Sequence, residues 1–198
     1  MIVFKNDCNE PPFVKFREIY NIADQNNQIL IHAASISSFS SAKNEVNSRF
    51  VNIKFLDNDK FIFFSNYESP KSDEFFEHHQ IAALFFWTST NTQVRIKAKI
   101  SKTSKKFNND YFSSRSSDKN ALSISSQQSK KIDSYSEVKS NFEKAMNRKD
   151  LKKCPEYWGG FEFKPYYFEF WEGNDSRINR RESFEKVDNS WIISTLQP

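Results

Sequence analysis

Glycine is nearly missing from this chain: 198 residues carry only Gly159, Gly160 and Gly173. With so little glycine there is no room for G-x-G-x-x-G or a P-loop, so Rossmann-type dinucleotide binding and Walker-type nucleotide hydrolysis are excluded. Cysteine is scarcer still. Cys8 and Cys154 lie far apart in no ligand-like spacing, so neither a disulfide framework nor a zinc site is expected. The three histidines, His32, His78 and His79, form no H-E-x-x-H pattern, and no metal is expected. Long apolar runs are absent too. The longest, Ile81 to Trp87, falls far short of the ~20 residues that cross a bilayer. Met1 to Asp7 shows no basic stretch leading into an apolar one, so a cytoplasmic protein without a secretory leader or membrane association is expected. The net charge of +4 is mild, and no basic run is regularly interleaved with aromatics, so nucleic acid is not an expected partner.

Aromatic residues, by contrast, make up 16% of the chain, with 21 phenylalanines, which is incompatible with a largely disordered polypeptide. Phe13, Phe16, Ile19, Tyr20 and Ile22-Ala23 recur at spacings of three and four, predicting a helix over 12–26. Residues 1–11 are expected to be flexible. Short apolar or β-branched runs then predict strands at Leu30–Ala34, Arg49–Leu56, Lys60–Ser65, Ile81–Trp87 and Gln93–Ile100, with a turn at Asp57-Asn58-Asp59. Ser69-Pro70 reads as a helix start running to about His78. Residues 103–150, rich in Ser, Lys and Asn, read as a helical excursion on the strength of Tyr111-Phe112 and Val138, Phe142 and Ala145-Met146. Strands return at Phe161–Lys164, Tyr166–Trp171, Ile178–Phe184 and Trp191–Leu196. The expected fold is mainly β (α+β): one barrel domain over 1–198 with peripheral helices.

Seven collinear segments carry a resemblance. Arg49-Phe50-Val51-Asn52-Ile53-Lys54, Phe63-Phe64-Ser65-Asn66-Tyr67-Glu68-Ser69-Pro70-Lys71, Gln93-Val94-Arg95, Tyr111-Phe112-Ser113-Ser114-Arg115 and Ser126-Gln127-Gln128-Ser129 come first. Tyr157 to Phe161 with Phe168 to Arg181, and the ending Trp191 to Pro198, complete the set. Together they resemble the pyridoxine/pyridoxamine 5′-phosphate oxidases, which are FMN-binding split β-barrels. The resemblance implies an FMN cofactor held by Arg49, Phe50, Val51, Lys54, Phe64, Ser65, Lys71, Gln93, Gln128, Ser129, Trp171 and Arg181. It implies a pyridoxamine or pyridoxine 5′-phosphate substrate bound by Lys54, Tyr111, Arg115, Lys119, Arg177 and Asn179, with Arg177 over the ring as the catalytic residue. It also implies a homodimer with FMN at the interface, oxidation at the C4′ carbon, and dioxygen reduced to hydrogen peroxide.

Among the departures from that pattern, which include Asn52, Ile53, Leu122-Ser123-Ile124 and Thr195, three matter most. Pro70 stands where the family has a phosphate-binding arginine, Lys119 where it has a serine, and Asn179 where it has a histidine beside Arg177. Asparagine donates a hydrogen bond but does not titrate near neutral pH. Taken singly, each site residue has an ordinary alternative as a solvated charge or a packed aromatic. The competing readings are, in order, a split-barrel flavoprotein acting on another substrate, a non-catalytic binder of FMN or pyridoxal phosphate, and a basic nucleic-acid module.

Overall fold

In the computed structural model, which covers residues 1–198, the elements run β1 (Val3–Lys5), α1 (Pro11–Gln25), β2 (Ala33–Ser40), β3 (Glu45–Asn52), β4 (Phe55–Asp57), β5 (Lys60–Asn66), α2 (Pro70–Glu77), β6 (Gln80–Trp87), β7 (Thr92–Lys102), α3 (Lys105–Ser114), α4 (Ser117–Ser125), α5 (Tyr135–Met146), β8 (Trp158–Glu172), β9 (Arg180–Val187) and β10 (Ser190–Leu196). All ten strands join one sheet in the order β1-β4-β5-β8-β7-β6-β2-β3, with β9 added to β8 and β10 to β9.

β8 organises this sheet. Its first part, Trp158 to Phe163, pairs with β5, and its last part, Tyr167 to Glu172, pairs with β9. β7 runs along its other edge from Phe161 to Glu172. The changeover falls at Pro165-Tyr166, where the register against β7 slips between Lys97 and Ala98. A bulge bends a strand and tolerates proline, so one long strand can serve two parts of the sheet.

Phenylalanine fills the interior. α1 buries Phe13, Phe16, Tyr20 and Ala23, the face its spacing predicts. Phe16 meets Phe61 at 4.9 Å and Phe85 at 5.4 Å between ring centroids, Phe13 meets Phe168 at 5.2 Å, and Tyr20 meets Trp87 at 5.8 Å. Phe61 also stacks on Phe163 at 5.2 Å, so it touches helix and sheet together. With glycine so rare, left-handed turn positions fall to asparagine: Asn6, Asn27, Asn44, Asn58 and Asn91 all have positive φ. Asparagine tolerates that region better than other residues bearing a Cβ.

The structure differs from the expected elements in five places, the first being that the strands expected at Phe161–Lys164 and Tyr166–Trp171 are one, β8. Residues 1–11 are not free: Val3–Lys5 pairs in parallel with β4, and Ile2 and Cys8 are buried. The second strand spans Ala33–Ser40 instead of 30–34, with Leu30 in a turn at φ 51°. Its inward residues Ser38 and Ser40 are buried but polar, which hid the strand from an apolar reading. The run 49–56 is broken at Ile53-Lys54, where the backbone changes partners: Ile53 N donates to His32 O and Lys54 N to Ile62 O. In the excursion, α4 forms at Ser117–Ser125, a helix without a clear apolar stripe.

Truncating Phe61 to alanine is expected to cost ~3–5 kcal/mol of stability, as for other fully buried phenylalanines. Urea unfolding measures it; a loss under about 1 kcal/mol would mean that the ring cluster is not the core.

Candidate functional site: a cation-lined cavity

The β3–β4 break turns Lys54 out of the ladder toward a cavity of about 770 Å³. β3 contributes Arg49, Phe50 and Val51, β5 contributes Phe64 and Ser65, and α2 contributes Lys71. From the excursion come Tyr111, Arg115, Lys119, Gln128 and Ser129. Twelve residues singled out in the sequence therefore line one space.

At one end lies the first turn of α2. The Ser69 hydroxyl donates to Asn66 O instead of capping the helix. Lys71 is buried, and its Nζ donates to Ser65 Oγ at 3.1 Å and Ser69 Oγ at 2.9 Å, with no carboxylate in ion-pair contact. Burial, and then the charge of Arg49, pull its ammonium down to about 8, with Glu74 opposing. Ser65 Oγ in turn donates to Gln128 Oε1 at 3.0 Å, tying the loop after α4 to β5. Arg49 donates to Ser38 Oγ and pairs with Glu74 at 2.8 Å. Glu74 is 5% exposed, also accepts from Ser38 Oγ and Asn47 Nδ2, and lines the cavity.

At the other end, Lys54, Arg115 and Lys119 face the cavity with no carboxylate partner. Burial, then Lys119 and Arg115, lower the Lys54 ammonium, and burial lowers Arg115. Arg115 donates to Ser123 Oγ and Lys119 O, both at 3.1 Å. The wall between the two ends is aromatic: Phe64 stacks on Tyr111 at 4.1 Å and on Trp158 at 5.0 Å. Gly159 and Gly160 follow Trp158 because polar groups press on the strand. A Cβ on Gly159 would sit 2.1 Å from the Tyr67 hydroxyl oxygen. Tyr67 donates to Gly160 O, and Gly160 N donates to Asn108 Oδ1, fastening α3 to β8.

Five predicted site residues lie elsewhere. Gln93, Trp171 and Arg181 stand opposite one another across β7, β8 and β9, on the outer face of the sheet. Arg181 forks onto buried Glu169, whose carboxyl is pushed up by burial but held down on balance by Arg181, Arg95 and Tyr167. Arg177 and Asn179 lie in the β8–β9 loop, outside the cavity of this single chain. Arg177 has φ 62°, and the Asn179 side chain accepts from Asn174 N at 3.0 Å. Left-handed backbone at a non-glycine residue stores strain that the surroundings must hold. Sequence reasoning missed Glu74 and Trp158 as cavity residues. Glu74 follows Lys71 by one helical turn, a spacing that was there to read.

The fold and this cavity define a protein of the FMN-binding split-barrel class. Residues 25–149 match the family described as "Pyridoxamine 5'-phosphate oxidase". Residues 158–198 match the "Pyridoxine 5'-phosphate oxidase C-terminal dimerisation region". The chain belongs to the pyridoxamine 5′-phosphate oxidase family. Among its relatives, pyridoxine/pyridoxamine 5′-phosphate oxidase 1 of Hydrogenovibrio crunogenus is 33% identical over 97% of this chain and 90% of its own. The pyridoxine/pyridoxamine 5′-phosphate oxidase of Colwellia psychrerythraea is 34% identical over 96% and 88%. In fold the chain is similar to PhzG of Burkholderia lata, solved in complex with tetrahydrophenazine-1-carboxylic acid, with a TM-score of 0.89 at 22% identity, covering 96% of this chain and 93% of that one. A pyridoxamine 5′-phosphate oxidase-related, FMN-binding protein of Nostoc punctiforme superposes with a TM-score of 0.79 at 12% identity, over 92% and 97%.

The Lys71 ammonium sets a pH dependence. An anion bound beside it favours the charged form, so above about pH 8 binding must take up a proton. The affinity for a phosphate monoester at this end is therefore expected to hold below pH 8 and to fall above it, by up to about tenfold per unit. Calorimetric titration across that range tests this; an affinity that stays flat above pH 8, or a K71M variant with the same profile, contradicts it.

Proposed function

We propose that this protein is an FMN-dependent oxidase of pyridoxamine or pyridoxine 5′-phosphate. The observation that carries the reading is the pair of anion sites in one cavity, Lys71 with Arg49 at the start of α2 and Lys54 with Arg115 and Lys119 opposite. Lys71 is buried and Lys54 and Arg115 are partly buried, all three without a carboxylate partner, an arrangement that phosphates match; Arg49 keeps Glu74 as its partner. Two such sites beside stacked rings suit a phosphorylated cofactor and a phosphorylated planar substrate.

The residues fit FMN. A buried ammonium whose hydrogen-bond partners are two hydroxyls, at an uncapped helix start, accepts a phosphate. Pro70 at the first helical position removes one family cation without disturbing the helix. Phe50, Val51, Phe64, Ser65, Gln128 and Ser129 line the space beyond, and the amide of Gln128 offers both a donor and an acceptor. FMN, when bound, supplies the acceptance of a hydride equivalent from the substrate and its transfer to dioxygen. The chain binds, orients and excludes water. Lys54, Arg115 and Lys119 clamp the substrate phosphate, and Tyr111 closes that end.

Gln93, Trp171, Arg181, Arg177 and Asn179 join this site from a second copy. Their row lies on the outer sheet face with exposed Phe50, Leu84 and Phe86, where Phe50 is also a cavity residue. The match of 158–198 to a dimerisation region supports a homodimer, and in this reading FMN lies at its interface. A second reading, turnover of another heterocycle on the same flavin, is favoured by one observation: Asn179 is committed to closing its own loop.

Purified protein loaded with FMN is expected to release hydrogen peroxide on addition of either vitamer phosphate. No peroxide from either would end this reading, and peroxide from another heterocycle alone would establish the second. Arg115→Ala is expected to raise KM for the phosphorylated substrate about 10–100-fold, the loss of one charged hydrogen bond. An unchanged KM in steady-state assays would remove Arg115 from the clamp.

A further inference from the structure

Trp158, the first residue of β8, is 6% exposed and lines the cavity. The Arg115 guanidinium lies over its indole, 4.6 Å from the ring centroid. The indole cannot swing away. Phe64 stacks on it at 5.0 Å and 8° between planes, and Phe112 meets it edge-on at 4.8 Å. β5–β8 pairing holds it opposite Asn66, and close polar contacts at Gly159 hold the strand beyond it. Arg115 itself sits at the C-terminal end of α3, where a long side chain has many rotamers. No carboxylate fixes it; its two side-chain hydrogen bonds go to a hydroxyl and a carbonyl.

We propose that Trp158 is the positioning residue of the phosphate clamp, its indole holding the Arg115 guanidinium flat so that the free donors of the fork meet the ligand phosphate. This rests on the reading of Lys54, Arg115 and Lys119 as the substrate-phosphate site. An aromatic face suits this task better than a carboxylate. It attracts the cation through the ring quadrupole, yet leaves the positive charge unneutralised for an incoming dianion. A glutamate in its place would fix the arginine and cancel it. Trp158 thereby sets the preference for phosphorylated over non-phosphorylated ligand while touching the phosphate only through Arg115.

The test uses FMN-loaded protein and an unreactive pair of probes, 4-deoxypyridoxine 5′-phosphate and 4-deoxypyridoxine, titrated calorimetrically. Trp158→Leu is expected to weaken the phosphorylated probe on the order of tenfold, within the range for a partly desolvated cation over an indole, and to weaken the other probe far less. Trp158→Phe, which keeps an aromatic face, should recover most of the loss. The double variant with Arg115→Ala should bind no more weakly than Arg115→Ala alone, since Trp158 acts through that side chain. Should Trp158→Leu fail to fold, Arg115→Lys keeps the charge without the planar face, and its phosphate preference should fall. The proposal is overturned if Trp158→Leu weakens both probes equally or neither, if its effect adds in full to that of Arg115→Ala, or if Arg115→Lys keeps the full preference. Wild-type protein that binds neither probe overturns the substrate reading itself, a distinct outcome.

Discussion

Holding cations partly out of water with no carboxylate paired to them is unfavourable, and this fold does so with Lys71 at one end of a cavity and with Lys54 and Arg115 at the other. Burial lowers the ammonium groups of Lys54 and Lys71 and the guanidinium of Arg115. Lys71 is tied to two hydroxyls, and Arg115 to a hydroxyl, a carbonyl and an aromatic face, groups that orient a charge without cancelling it. Such an arrangement is stable only if the scaffold around it is rigid enough to prevent relaxation into solvent. The organisation of the barrel can be traced to that need.

The rigidity comes from rings and from β8. Phe61, Phe63, Phe161 and Phe163 pack across the β5–β8 ladder, and α1 presses Phe13, Phe16 and Tyr20 onto the same cluster. β8 carries Trp158 at one end and Trp171 at the other, so one strand spans from the cavity wall to the outer row of Gln93, Trp171 and Arg181. Glutamates appear where an arginine must be aimed. Glu74 holds Arg49, and Glu169 holds Arg181, and both carboxylates are buried. The charges are thus graded: carboxylates hold Arg49 and Arg181, while none pairs with Lys54, Arg115 or Lys119.

Much of this was legible in the sequence. A short apolar run announced β6, alternation announced β7, the three-four spacing of aromatics announced α1, and Ser69-Pro70 announced α2. Twelve of the residues assigned by resemblance line a single cavity because they lie on β3, β5, α2 and the excursion, which the topology brings together. What stayed hidden was set by register and tertiary contact. β2 carries buried Ser38 because its inward face meets Arg49 and Glu74 there, and Ser40 accepts from Lys43 N, so apolar periodicity could not find the strand. The parallel pairing of β1 depends on β4, which lies fifty residues away in the chain. Glu74 and Trp158 gain meaning only from the neighbours that the fold supplies, and so does the division of the predicted site into a cavity set and an outer row.

The central claim is that one cavity holds two phosphates, with the outer row of a second copy closing it. A crystal structure of the protein with FMN and 4-deoxypyridoxine 5′-phosphate tests this most directly. The account predicts a two-fold dimer, one phosphate on Lys71 and Arg49, and the other on Lys54, Arg115 and Lys119. A flavin bound away from Lys71, or a clamp empty of the substrate phosphate, would contradict it.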